Sequence, residues 1–330
     1  MDIATHPVIA QARDLADPRI GWVFRGFVGL GDQVYMRPFV LDAVSKGLRT
    51  YVCTPWPELY WNLPGKLRFL PEDQGFRTQR ANLLLQDPRT WSAAPRKARV
   101  VTMDYSPNVL KPGSSIVGSF MGIWPTARFD FEIPIAPAWE RAAEQVLQDL
   151  DLGGRELCLV YLPTVRHEWY VPARNPKPEY VNLLLDRHKD RFYYLAVGWI
   201  EPGQESLDGD FPLVDKLCIR GELHYTTIAA LMKRAPAVIS HSNFMVPLGT
   251  AVRANLFVIH GGFTKPGHTL DERMDLRTVR WVAPDPFCDC YNGTHNCNKD
   301  IPQDVLFGTF ERFISEVVDR PPASYRHLDR

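Results

Sequence analysis

The chain has 330 residues, more than one ordinary hydrophobic core organises, so two domains are expected. Hydrophobic residues make up 45% and charged residues 23%, a globular balance. The 38 basic residues are offset by 38 acidic ones, which excludes a general basic field for nucleic acid, though not a local patch. No stretch approaches the ~18 uninterrupted apolar residues of a spanning helix. Met1 to Asp17 is polar and broken by Asp2, Arg13, Asp14 and Asp17, unlike a signal peptide, so a cytoplasmic location is expected. Six cysteines in such a chain read as thiols or metal ligands rather than a disulfide framework, and 28 prolines imply many short, rigid loops.

After a short helical lead-in over residues 1–18, the run Ile20 to Phe24 reads as a strand and Val34 to Val44 as a helix. Between them lies Arg25-Gly26-Phe27-Val28-Gly29-Leu30-Gly31-Asp32. Three glycines in six positions suggest a turn with φ > 0 and close backbone approach to a ligand. Asp32 falls at or near the N-cap, at the positive end of the helix dipole. The spacing is not G-x-G-x-x-G, and no acidic residue ends the next strand, Thr50 to Thr54. A plain N-capped βα turn is the competing reading. Leu67 to Leu70 and Arg99 to Met103 read as strands. Phe76 to Gln86, Ser114 to Ile123 and the amphipathic Trp139 to Leu150 read as helices.

Asp151-Leu152-Gly153-Gly154-Arg155 breaks the pattern, and the domain boundary is expected there. A second α/β series follows. Strands are expected at Leu157 to Leu162, Phe192 to Val197, Val214 to Ile219, Ala237 to Ser240 and Leu256 to Ile259. Helices are expected at Tyr180 to His188, Tyr225 to Arg234, Pro247 to Val252 and Val305 to Val318. Alternation in both halves argues for an α/β protein of two parallel-sheet domains. The expected division is 1–152, 153–304 and a C-terminal helix and tail over 305–330.

Four stretches carry a family likeness. They are Gly29-Leu30-Gly31-Asp32 with Pro38 and Leu41, Thr54-Pro55-Trp56, the run His224 to Asn243, and Gly262-Phe263-Thr264-Lys265-Pro266. In order and spacing the chain resembles the GT-B glycosyltransferases of family 9, the ADP-heptose–lipopolysaccharide heptosyltransferase-like enzymes. The resemblance implies two Rossmann-like domains facing across a cleft, the first binding acceptor and the second nucleotide-sugar, with the last helix returning to the first. It departs where the family has Asp-Ser/Thr-Gly and then a histidine: here stand His241, Ser242, Asn243 and Val246. Heptose and ADP are therefore not carried over.

The resemblance implies inverting transfer to a hydroxyl acceptor such as a glycan, with no metal required. Asp32 would be the general base and Asp104 the reserve; a positioned carboxylate contributes about 10²–10⁴-fold. Donor and phosphate contacts are expected from Thr164, Arg166, Lys177, Glu222, His241, Ser242, Asn243, Thr264 and Lys265. Ser242 and Asn243 would act with the N–H groups opening the next helix. Gly29, Gly31 and Trp56 fall on the acceptor side, and Trp169 is the aromatic residue best suited to stacking. Cys288, Cys290, His295 and Cys297 have the number of ligands for a structural zinc or iron site, remote in sequence from both turns, with free thiols or a redox pair as the other reading. Two other readings stay open. One is transfer to a hydroxylated DNA base along Arg77, Arg80, Arg89, Arg96, Lys97, Arg99 and Lys111. The other is a catalytically degenerate nucleotide-sugar-binding scaffold.

Overall fold

The computed structural model describes residues 17–320, except 18, 28, 64, 106–113, 127, 264, 289 and 291. It divides into two compact units. The first ends at Ala136 and also takes in Gly267–Met274; the second comprises Pro137–Pro266 and the chain from Asp275 onward.

The first unit opens with β1 (Gly21–Gly26) and α1 (Leu30–Ser45), followed by β2 (Thr50–Cys53), β3 (Leu67–Leu70), α2 (Arg77–Leu85), β4 (Ala98–Met103) and α3 (Ile116–Ile123). The strands form one parallel sheet in the order β3-β2-β1-β4. Trp22 and Phe24 of β1 pack edge-on against Trp124, with ring centroids 5.5 and 5.2 Å away. The middle of α1 is buried on most of its circumference and includes Gln33, Arg37 and Asp42. Such polar burial is tolerated only with partners. Arg37 is 1% exposed and donates from Nε to Leu59 O (2.8 Å), from Nη1 to Glu132 O (2.7 Å) and from Nη2 to Asn62 Oδ1 (3.0 Å).

The second unit begins one element earlier than expected. Helix α4 (Pro137–Gln148) packs on α6 (Tyr225–Arg234), with Trp139 edge-on to Tyr225 at 6.4 Å. The expected break is present, since Gly153 and Gly154 take φ of 56° and 80°, but that turn lies inside the second unit. The remaining elements are β5 (Glu156–Val160), β6 (Thr164–Val165), α5 (Pro178–Arg187), β7 (Phe192–Val197), β8 (Ser206–Leu207), β9 (Lys216–Cys218), β10 (Ala237–His241), α7 (Met245–Ala251), β11 (Leu256–Ile259), β12 (Val279–Val282) and α9 (Gln303–Phe313), with the short α8 (Pro266–Thr269) opening the segment that belongs to the first unit. Six strands make a parallel sheet in the order β12-β11-β10-β5-β7-β9, and β6 and β8 form a small antiparallel pair. β5, β7, β10 and β11 are almost wholly buried, as strands covered on both faces must be.

Leu306, Phe310 and Phe313 of α9 join the second unit's core, with Phe310 4.9 Å and Phe313 5.5 Å from the Phe257 ring. The described part of the last helix therefore packs within its own unit, on β12 and α5, where a return to the first was expected. β12, the pair β6–β8 and α8 had no counterpart in the sequence reading. No helix among the described residues is long and apolar enough to cross a membrane.

Arg37 supplies the clearest test of this packing. Replacing it with Leu leaves two backbone carbonyls and Asn62 without their donor. The Arg37→Leu variant is expected to lose about 3 kcal/mol of stability in urea unfolding.

Candidate functional site

Both parallel sheets are wound outward from an inner strand, and each reverses direction once. The reversal lies between β1 and β4 in the first sheet and between β5 and β10 in the second. The loops at the two sides of such a reversal diverge at the carboxyl edge and leave room for a ligand. The residues marked by sequence collect at these two edges, each considered within its own unit.

At the first edge, Asp32 is the third residue of α1 rather than its cap. The N-cap is Gly29, in extended conformation. None of Gly26, Gly29 and Gly31 takes positive φ, contrary to expectation. Two of them serve close approach: a Cβ on Gly29 would stand 2.5 Å from Asp32 Oδ2, and one on Gly26 would stand 2.8 Å from Met103 O. Asp32 can fold back over the turn because Gly29 has no side chain. Across the reversal, just beyond β4, Tyr105 donates its phenol hydrogen to Asp32 Oδ1 at 3.0 Å. Burial, and then the Asp32 charge, hold the Tyr105 phenol far above its ordinary pKa, so it remains a donor. Tyr105 was not found from sequence; only the strand order shows that it faces Asp32. Trp56, expected on the acceptor side, is 5% exposed and belongs to the core.

The first unit also holds an open polar cavity of about 640 Å³, lined by Ser114, Ser115, Ser119, Asp271, Glu272 and Arg273. Ser115 caps α3 by accepting from Gly118 N at 2.8 Å, and donates its hydroxyl hydrogen to Asp271. Arg273 Nη1 grips both Asp271 oxygens at 2.8 and 3.0 Å. The late segment Gly267–Met274 completes this wall, which no local sequence signal reveals.

At the second edge, β10 runs one residue further than expected and takes in His241. His241 is buried against the Tyr161 ring, 5.4 Å away, and neither ring nitrogen makes a well-formed hydrogen bond. Burial, then the Arg174 guanidinium, press its pKa down to about 3; the Leu162 backbone pulls the other way, and His260 and Lys299 add to the depression. It is neutral at physiological pH and brings no positive charge. Ser242 Oγ shares a hydrogen bond of 2.9 Å with His260 Nδ1. Asn243 accepts from Met245 N at 2.7 Å and donates to Ser240 Oγ at 3.0 Å, an Asx turn that leads into α7.

The other residues expected on the donor side, as far as they are described, lie within the second unit. Thr164 sits in β6, and its carbonyl accepts from Asn175 Nδ2 at 2.9 Å. Arg166 is ion-paired to Glu168 at 3.2 Å and to the buried Glu205 at 3.6 Å. Lys177 is paired to Asp300 at 2.5 Å, which raises its pKa. Glu222 accepts from the Arg220 backbone at 2.6 Å. Lys265 is half-buried after β11, and Thr264 lies outside the described residues. Trp169 is exposed, with the Arg174 guanidinium 5.1 Å over its ring. Within the basic set, Arg80 pairs with Asp73 and Arg89 with Asp87, and Lys111 lies outside the described residues. Nothing here supports a nucleic-acid acceptor.

Cys288, Cys290, His295 and Cys297 come together, with their ligand atoms all within 4.8 Å of one another. Of the His, Cys, Asp and Glu groupings among the described residues, this one could hold a metal ion.

No protein-family model and no curated protein matches the chain. Solved structures do resemble it. A glycosyl transferase family 9 protein from Veillonella parvula aligns at 12% identity and TM-score 0.61, covering 91% of this chain and 98% of that one. A bacterial iron-containing dodecameric glycosyltransferase from enterotoxigenic E. coli aligns at 13% identity and TM-score 0.53, over 91% and 77%. The E. coli ADP-heptose lipopolysaccharide heptosyltransferase II aligns at 12% and 0.53, over 89% and 98%. At these identities the likeness establishes the fold: the chain has the two parallel-sheet, Rossmann-like architecture of family 9 glycosyltransferases.

His241 gives this edge a pH signature. Unfolding returns the imidazole to its ordinary pKa near 6.5, so between pH 6.5 and about 3 the unfolded chain binds a proton that the folded one refuses. Stability from this group is complete above pH 6.5 and drains as pH falls. Between pH 7 and 5 the wild type is expected to lose roughly 2 kcal/mol more than His241→Gln in chemical denaturation.

Proposed function

We propose that this chain is a glycosyltransferase that moves a sugar from a nucleotide-sugar donor to a hydroxyl acceptor, with inversion and without a metal ion in the chemical step. The observation that carries the reading is the Asp32–Tyr105 pair at the reversal of the first sheet. An acceptor hydroxyl must lose its proton as it attacks the anomeric carbon. A carboxylate at the opening of a helix, with one oxygen fixed by a phenol and the other on the glycine turn, is a positioned base. Fixing its orientation before substrate arrives removes a cost from the transition state. The fold shared with family 9 structures supports the same assignment.

The acceptor belongs to the first unit in this reading, and the cavity of serine hydroxyls, carboxylates and Arg273 suits a hydroxyl-rich glycan. The donor diphosphate belongs to the second unit, along Thr164, Arg166, Lys177, Ser242, Asn243 and Lys265. Arg166 and Lys177 are already paired, so a phosphate takes them by exchange with Glu168, Glu205 and Asp300. His241 contributes shape and a neutral ring, with Ser242 and His260 as the polar pair beside it. Glu222, just before α6, is the choice for ribose hydroxyls.

Asp32→Asn is expected to keep nucleotide binding and lose at least about 100-fold in kcat. Tyr105→Phe, which removes one donated hydrogen bond, is expected to cost about tenfold. Both are read in a donor-consumption assay with a mixed glycan acceptor pool. Undiminished turnover in Asp32→Asn sinks the assignment of the base. Nucleotide binding with no turnover in wild type favours the degenerate scaffold. Turnover is also expected to persist in EDTA, and its abolition there, restored by magnesium, would overturn the metal-free step.

A further inference from the structure

We propose that Cys288, Cys290, His295 and Cys297 form a tetrahedral site for a thiophilic divalent ion, and that this ion braces the exit of β11. The inference does not rest on glycosyl transfer. Its first support is distance. Around a tetrahedral ion with metal–sulfur bonds of about 2.3 Å and metal–nitrogen bonds of about 2.0 Å, ligand sulfurs lie about 3.8 Å apart and sulfur and nitrogen about 3.5 Å apart. Here Cys288 Sγ lies 3.4 Å and Cys297 Sγ 3.5 Å from His295 Nδ1, and Cys290 Sγ lies 3.4 Å from Cys297 Sγ. The four atoms fit around one centre.

The competing account is a redox pair. A disulfide needs sulfurs about 2.05 Å apart, and all six cysteines are free thiols. Pairing Cys290 with Cys297 would also explain only two of the four groups. It leaves Cys288 and the imidazole converging on the same point for no reason. The backbone is wound to serve the sulfurs: Cys290 N donates to Cys288 O at 2.9 Å, Cys297 N to His295 O at 2.9 Å, and Asn292 N to Cys290 Sγ at 3.5 Å. An amide aimed at a thiolate sulfur is the outer support that metal ligands commonly have. Three sulfurs and one imidazole select zinc or ferrous iron over magnesium or calcium, which prefer oxygen.

The second support is where the loop sits. Remote in sequence from the donor turns, it folds directly against one. A Cβ on Gly262 would stand 2.1 Å from Cys297 Cβ, so that residue can only be glycine. Ala173 N donates to Gly293 O at 3.0 Å, Gly262 N donates to Ala173 O at 2.9 Å, and Lys299 Nζ donates to Pro172 O at 2.9 Å. The loop, the turn at 171–175 and Gly261–Gly262 are one packed body, and His260 precedes it with its bond to Ser242. With few apolar side chains of its own, the loop holds that shape through the ion. Binding energy at such a site is folding energy.

The test is metal analysis of the full chain purified reducing and without chelator. About one equivalent of zinc or iron per chain is expected, the element deciding between the two. Cys290→Ser, at an exposed position, and Cys288→Ser should each lose it, while Cys53→Ser, outside the cluster, keeps it. A membrane-permeant thiophilic chelator should lower the Tm by several degrees, and added Zn²⁺ should restore it. Metal-free protein that neither takes up Zn²⁺ nor shifts in Tm would overturn the proposal. So would a Cys290–Cys297 disulfide found by non-reducing mass spectrometry. No readout uses turnover, so an inactive protein with bound metal refutes the proposed activity and leaves this site standing.

Discussion

The structure depends on one constraint: parallel strands pair only through crossovers, and a sheet wound from its inner strand outward must reverse once to add strands on the other side. In the first unit the reversal separates β1 from β4; in the second it separates β5 from β10. Two facing pairs of side chains follow from those two gaps. Backbone amides and helix ends that would be covered elsewhere are left open there. Asp32 and Tyr105 stand on opposite sides of one gap, and Tyr161 and His241 on opposite sides of the other.

The two edges solve the problem of buried polarity differently. At the first, a carboxylate is kept half-buried and held by a phenol. At the second, the polar groups are satisfied before any ligand arrives. Asn243 closes the turn into α7, Ser242 is bonded to His260, and the cations at 166 and 177 sit on carboxylates. His241, whose ring nitrogens make no well-formed hydrogen bond, is kept neutral by burial. In the proposed reading, an anion enters such an edge by exchange of ion-pair partners rather than by filling an open field.

The alternation of elements was readable because strands buried on both faces are unbroken apolar runs, as in Phe192 to Val197. β12 was not readable because Val-Arg-Trp-Val is a four-residue edge strand that buries only its two end valines and shows neither an apolar run nor a clean alternation. The amphipathic face of α4 was legible, but not which unit it would cover; a hydrophobic stripe names no partner. The same limit applied to the sites. Asp32, Ser242 and the four metal-type ligands were visible as residue types beside turns. Tyr105, the Ser115–Asp271 contact and the packing of Gly262 against Cys297 depend on strand order and chain return, which local periodicity does not encode. Glycine was partly misleading: at 26 and 29 it marks absent side-chain volume, not left-handed backbone.

The return of Gly267–Met274 to the first unit has a consequence for the order in which the protein is made. Tyr35 donates to the Thr269 carbonyl at 2.8 Å, and Ser115 donates to Asp271, so two polar groups of the first unit are satisfied by residues that leave the ribosome after most of the second. A nascent chain ending near Ala136 has its first sheet but lacks those acceptors and one wall of its cavity. The first unit is thus first to begin and among the last to finish, and it depends on the second having been synthesised.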